Sequence, residues 1–195
     1  MANFNGSGYI DIPVDLEASL CGGQSFRWEK YNEFFKGVIE ENIVKLKQAE
    51  KGLYWVACNS NKSLQDIIIN YLDLDFDLQQ FSDRNKKDDV LQRSLRKYYG
   101  LRILNQDPWE CLISFICSAA SNLNKITKNV QSIIKLGVKI GPDKLDCSFP
   151  TPETIVSFGE GKLRELGVGF RSSYVIDAAQ KVLEGKIDFE SLKSS

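Results

Sequence analysis

The chain has no histidine at all, one methionine and five prolines in 195 residues. Without an imidazole there is no His-dependent nucleophile triad, and a zinc site is not expected. Cys21, Cys58, Cys111, Cys117 and Cys147 are scattered, odd in number and form no CxxC pair. Neither an iron–sulfur cluster nor a disulfide framework is therefore expected, and no metal or cofactor is assigned. The thiols are expected to be small buried hydrophobes in a reducing compartment. No apolar run reaches the ~18 residues of a membrane span. The start, Met1-Ala2-Asn3-Phe4-Asn5, has no basic-then-apolar signal character. A soluble intracellular protein with no membrane partner is the expectation.

What is present is ordinary for a globular chain: 43% hydrophobic and 26% charged residues. The length allows one large or two small domains. The net charge of −1 hides an uneven distribution. Residues 91–140 carry Arg93, Arg96, Lys97, Arg102, Lys125, Lys128, Lys135 and Lys139 against only Asp107 and Glu110, whereas residues 66–77 carry four aspartates and no base. A basic middle suits a phosphate-binding face, although helix surfaces are lysine-rich for solubility alone.

The first third reads as strands. Ser25–Lys30, Phe34–Glu40, Ile43–Gln48 and Leu53–Cys58 are short, rich in aromatic and β-branched residues, and separated by turn residues. Ser63 is expected to cap a helix through Leu72, with Leu64, Ile67, Ile68 and Tyr71 on one face. A further helix is expected over Asp89–Tyr99, stopped by Gly100. From Asp107 onward the pattern is helical. Asp107-Pro108-Trp109-Glu110 supplies a cap acceptor, a first-turn proline and a carboxylate three residues on. The nearly all-apolar run Cys111–Ala120 reads as a buried central helix. Helices then follow Asn122, Thr151-Pro152 and Arg171, the last ended by Gly185, and another begins at Asp188.

Three blocks carry a family resemblance. Gly22-Gly23-Gln24-Ser25-Phe26-Arg27-Trp28, then Gly100 through Ser118, then Lys162 through Arg171 with Tyr174 beyond, resemble the eukaryotic-type 8-oxoguanine DNA glycosylases in order and spacing. The resemblance implies an α+β chain: an antiparallel β-sheet domain with flanking helices (TBP-like) over residues 1–104, then an incomplete all-α glycosylase domain over 105–195. It also implies hydrolysis of the N-glycosidic bond of an oxidised purine in damaged double-stranded DNA, with the base rotated out of the stack. Action in the nucleus follows for a eukaryote, and in the cytoplasm for a prokaryote.

In that family a lysine amine attacks the sugar carbon and an aspartate supports the developing charge. Both lie in a helix–hairpin–helix segment and a following Pro-Val-Asp stretch that this sequence does not contain. The chain thus resembles a member truncated before its nucleophile, so no catalytic residue is assigned and enzymatic activity stays open. A non-catalytic damaged-DNA-binding module and a structural remnant are the alternatives. A second polypeptide, or self-association, is expected to cover apolar surface left on Trp109–Ala119.

The resemblance assigns base recognition to Gly23, Gln24, Phe26 and Phe115. The Gly23 carbonyl would accept from N7–H, a donor that 8-oxoguanine has and guanine lacks. DNA contact falls to Asn122, Lys125, Phe170 and Arg171. Ala120 stands where the family has the asparagine that fills the vacated space. Lys125 replaces the arginine that reads the opposite cytosine, and Phe170 replaces the wedging tyrosine.

Overall fold

The computed structural model describes residues 4–58 and 63–193. The chain divides into two compact units, Met1–Asn105 and Gln106–Ser195.

In the first unit the strands are β1 (Phe4–Ile10), β2 (Glu29–Tyr31), β3 (Phe34–Ile39), β4 (Asn42–Gln48) and β5 (Leu53–Cys58). They form an antiparallel sheet in the order β1-β5-β4-β3-β2. Register places Phe35 opposite Leu46 and Leu46 opposite Trp55, so one cross-strand row turns inward. Val44 and Ala57 form the next inward row. Helices α1 (Leu16–Cys21) and α2 (Leu64–Tyr71) contribute Leu16, Leu20, Leu64 and Ile68 to the same core. Burying each such side chain is worth about 1.5–3 kcal/mol. Trp28 donates from Nε1 to the Tyr71 hydroxyl at 2.9 Å and lies across Gly37. A Cβ on Gly37 would stand 2.6 Å from that indole, so only glycine fits beneath it.

Helices α3 (Leu78–Arg84) and α4 (Asp89–Lys97) complete this unit, and neither buries a residue fully. The second unit holds α5 (Pro108–Ser118), α6 (Leu123–Ile134), α7 (Pro152–Glu165), α8 (Ser172–Leu183) and α9 (Phe189–Lys193). Its core gathers Ile113, Val130, Ile133, Ile155, Leu163 and Val175. No helix among the described residues is long and apolar enough to cross a membrane.

Several sequence expectations need correction. Residues Ser25–Trp28 bend instead of forming a strand, and the strand is only Glu29–Tyr31. Ser25, Arg27 and Trp28 are all buried, which an alternating strand with one wet face would not allow. Strand β1 carries no clear sequence signal, because Gly6 and Gly8 lower its strand propensity; pairing with β5 overrides that preference. Helices α1 and α3, also unexpected from the sequence, are short and capped by aspartates: Asp15 accepts from Ala18 N and Asp77 from Gln80 N. Ser63 does occupy the N-cap of α2, but with helical backbone angles and no side-chain cap bond. Helix α5 is not buried all round, since Phe115 is 76% exposed and Cys111 is exposed. A run apolar on every side carries no period, so it cannot show which face packs. Cys21 and Cys111 are exposed, against the expectation of burial; Cys58, Cys117 and Cys147 are buried.

Candidate nucleic-acid interface

The basic middle of the sequence is divided between the two units. Arg93, Arg96, Lys97 and Arg102 belong to the first unit, and Lys125, Lys128, Lys135 and Lys139 to the second. Arg102 is 5% exposed. Its guanidinium donates to the carbonyls of Asp73 (3.2 Å), Phe76 (2.8 Å) and Pro13 (2.9 Å). Burial lowers its pKa from the usual value, partly offset by Asp73. It braces loops and does not face phosphate.

In the first unit Gly23 follows α1 with φ 92°, a left-handed conformation that glycine adopts without strain. Gln24 beside it is a brace. Its Nε2 donates to the carbonyls of Arg102 (2.9 Å) and Ser19 (3.3 Å), and its Oε1 accepts from Leu104 N (3.2 Å). The Ser19 hydroxyl in turn accepts from Arg102 N at 3.0 Å. The amide expected to touch a base is thus spent on backbone groups, fixing the turn that carries the Gly23 carbonyl. Phe26 is half-buried in the following bend.

The second unit brings four sequence-selected positions together. Asn122 caps α6, its Oδ1 accepting from Lys125 N at 3.0 Å, and Lys125 and Lys128 are exposed on that helix. Helix α5 is capped by Ala119, and Ala120 follows with φ 47°, strained for a residue with a Cβ. Leu166-Gly167-Val168-Gly169 leads into Phe170 and Arg171, with Gly167 at φ 89°, Gly169 at φ 69° and Val168 fully buried. The chain then turns so that Phe170 emerges 52% exposed. The Arg171 guanidinium sits 4.5 Å from the centre of the Phe170 ring, and Tyr174 meets the ring edge-on.

Arg171, expected at the DNA, is instead taken up by the fold. It is only 2% exposed. Nε donates to the Ala119 carbonyl at 2.8 Å, and Nη2 donates to the carbonyls of Ala119 and Ala120, the latter at 3.0 Å. The last carbonyls of a helix lack intrahelical partners and carry its negative dipole end, so a buried cation there satisfies both needs. The pairing joins residues 52 positions apart, and nothing in the sequence pattern signals it. Beneath it Cys117 is held by burial at a pKa of about 11, with Arg171 opposing the rise. Phe115, on the other side of α5, points into solvent. No group of three or more Cys, Asp or Glu side chains among the described residues is placed to hold a metal ion.

An antiparallel sheet unit followed by a helical unit with an exposed aromatic at a basic helix junction defines a two-unit α+β protein. The family model for the 8-oxoguanine DNA glycosylase N-terminal domain matches residues 10–112, and the chain belongs to that family. N-glycosylase/DNA lyase OGG1 of Arabidopsis thaliana is 34% identical over 170 residues, 83% of this chain and 47% of the relative. The N-glycosylase/DNA lyase of Saccharomyces cerevisiae is 36% identical over 188 residues, 87% of this chain and 50% of the relative. The chain therefore spans about half the length of these curated relatives. Among solved structures, MBOgg1 in complex with a low-affinity DNA ligand superposes with TM-score 0.86 at 29% identity, covering 99% of this chain and 69% of the other. The Clostridium acetobutylicum 8-oxoguanine glycosylase/lyase, bound to double-stranded DNA with cytosine opposite 8-oxoguanine, gives 0.84 at 28% identity, over 100% and 70% respectively.

Proposed function

We propose that this chain supplies the lesion-recognition and strand-wedging part of an 8-oxoguanine DNA glycosylase/AP lyase, acting inside the cell on damaged duplex DNA. The observation that carries the reading is the Arg171 clamp. By tying the turn after α5 to the segment bearing Phe170, it presents an exposed ring beside the N-terminus of α6, where Asn122 and Lys125 stand. A ring at that position suits insertion into the stack where a base has been rotated out. The amino end of α6, with exposed Lys125 and Lys128, suits a neighbouring phosphate. The Gly23 carbonyl, on a turn braced by Gln24, suits the acceptor that separates 8-oxoguanine from guanine, because a mispaired buried acceptor is costly.

In this reading the 195 residues engage the lesion, and none of them is assigned the role of nucleophile. Borohydride trapping with an 8-oxoguanine duplex tests this directly. The expected result is duplex binding with no covalent adduct. An adduct overturns the non-catalytic reading, and failure to bind any duplex overturns the DNA-engaging one.

A further inference from the structure

The sheet face turned away from the core is not the polar surface that a one-sided antiparallel sheet ordinarily presents to water. Tyr9 pairs with Tyr54, Tyr54 with Lys47, Lys47 with Phe34 and Phe34 with Tyr31, so a single row crosses all five strands with four rings and one ammonium. The adjoining row on this face runs Ser7, Val56, Lys45, Lys36, Glu29. Tyr9, Tyr54 and Tyr31 are 40%, 53% and 71% exposed. The Tyr9 and Tyr54 rings lie 4.9 Å apart at 44°. Lys45 Nζ is 4.3 Å from the centre of the Phe4 ring, and Lys47 Nζ is 5.8 Å from that of Phe34.

Rings and ammonium groups therefore share one surface. Val56 is the sole aliphatic side chain in the two rows, so this is not the continuous apolar patch of a protein interface core. Charge favours an anionic occupant. In the two rows the acid is Glu29 at the edge strand, against Lys36, Lys45 and Lys47. Glu33, at the same margin, pairs with Lys47 at 2.7 Å with both side chains substantially in water, an arrangement that holds its lysine weakly. Four strand spacings make the row about 19 Å long. Sheets that stack two or three unpaired bases on exposed rings use a comparable platform.

We propose that this face of the first unit binds a short run of unpaired nucleic acid, with bases stacked on Tyr9, Tyr54, Phe34 and Tyr31 and phosphates met by Lys36, Lys45 and Lys47. It uses none of the residues assigned to duplex engagement and does not rest on that assignment. A glycosylase of this kind would hold both an intact duplex and a neighbouring unpaired strand.

The test is anisotropy of a labelled oligothymidylate of about ten nucleotides, titrated with the whole 195-residue chain, beside a duplex of the same length. The expected result is saturable single-strand binding, weakened about tenfold by Tyr54→Ala and kept within about twofold by Tyr54→Phe, which retains the stacking face. Lys45→Ala should lower the log–log salt slope by about 0.7. Duplex affinity should stay unchanged in all three variants, and thermal melts should match the unsubstituted chain. Absence of single-strand binding overturns the proposal. So does equal binding by the Ala and Phe variants, which would leave only unspecific charge, or an equal loss on duplex, which would merge this face with the other site. A Tyr54-dependent dimer in sedimentation would show a protein interface and overturn it as well.

Discussion

Replacing Arg171 with methionine should destabilise the helical unit far more than an arginine next to an exposed aromatic normally would. Methionine keeps most of the apolar stem, so the cavity is small and the loss lies in the guanidinium bonds. Three donor–acceptor contacts to the carbonyls of Ala119 and Ala120 disappear. Hydrogen bonds from charged groups are worth about 1.5–3 kcal/mol each when buried. Ala119 and Ala120 are exposed residues, so water takes over part of their need. A net loss of about 2–3 kcal/mol follows, or a fall in Tm of about 10–20 °C for a unit of this size. Arg171→Lys, which keeps the charge but not the planar fork, should lose about half as much. The clamp also holds Ala120 at φ 47°, so Ala120→Gly should stabilise the unsubstituted protein by about 1 kcal/mol and gain less once the clamp is gone. Urea unfolding followed by circular dichroism at 222 nm, run as a double-mutant cycle, measures all four. A loss below about 0.5 kcal/mol in Arg171→Met, the range of surface substitutions, would refute the clamp and return Arg171 to the solvent.

Three further outcomes are expected. Burial holds the Cys117 thiol at about 11 against an ordinary 9.0. The folded state thus keeps a proton that the unfolded state releases, and stability should fall by about 2 kcal/mol as pH rises from 9 to 11. Urea midpoints across that range should show the slope, and Cys117→Ala should reduce it, leaving the smaller part due to Cys21, Cys111 and Tyr9, which are also raised. Gly37→Ala should cost about 2–3 kcal/mol and shift tryptophan emission, because its Cβ would stand 2.6 Å from the Trp28 indole; an unchanged melt would mean that the ring moves freely. Lys125→Ala should weaken every duplex similarly and reduce the salt slope by about one. A tenfold preference for cytosine opposite the lesion, abolished by that substitution, would show that Lys125 reads the base.

Some of this protein could be read without coordinates. Local signals placed β3, β4 and β5 within a residue or so, because alternation and turn residues act over neighbouring positions. They also placed the starts of α5, α6 and α7, since Asp107, Asn122 and Thr151 cap through bonds only three residues long. The three motif blocks pointed to the family to which the chain belongs. What the sequence could not decide was which polar side chains are consumed by the fold. Gln24, Arg102 and Arg171 look alike on paper as candidates for DNA contact. Yet apart from the Ser19 carbonyl, five residues from Gln24, their partners lie 78–80, 26–89 and 51–52 residues away and are backbone carbonyls or amides, which have no sequence signature. The same holds for the outward row on the sheet, where Tyr9, Phe34 and Tyr54 fit a core reading until register assigns their face. A strand's period of two offers two faces, and only the packing of α1 and α2 against one of them settles which is wet.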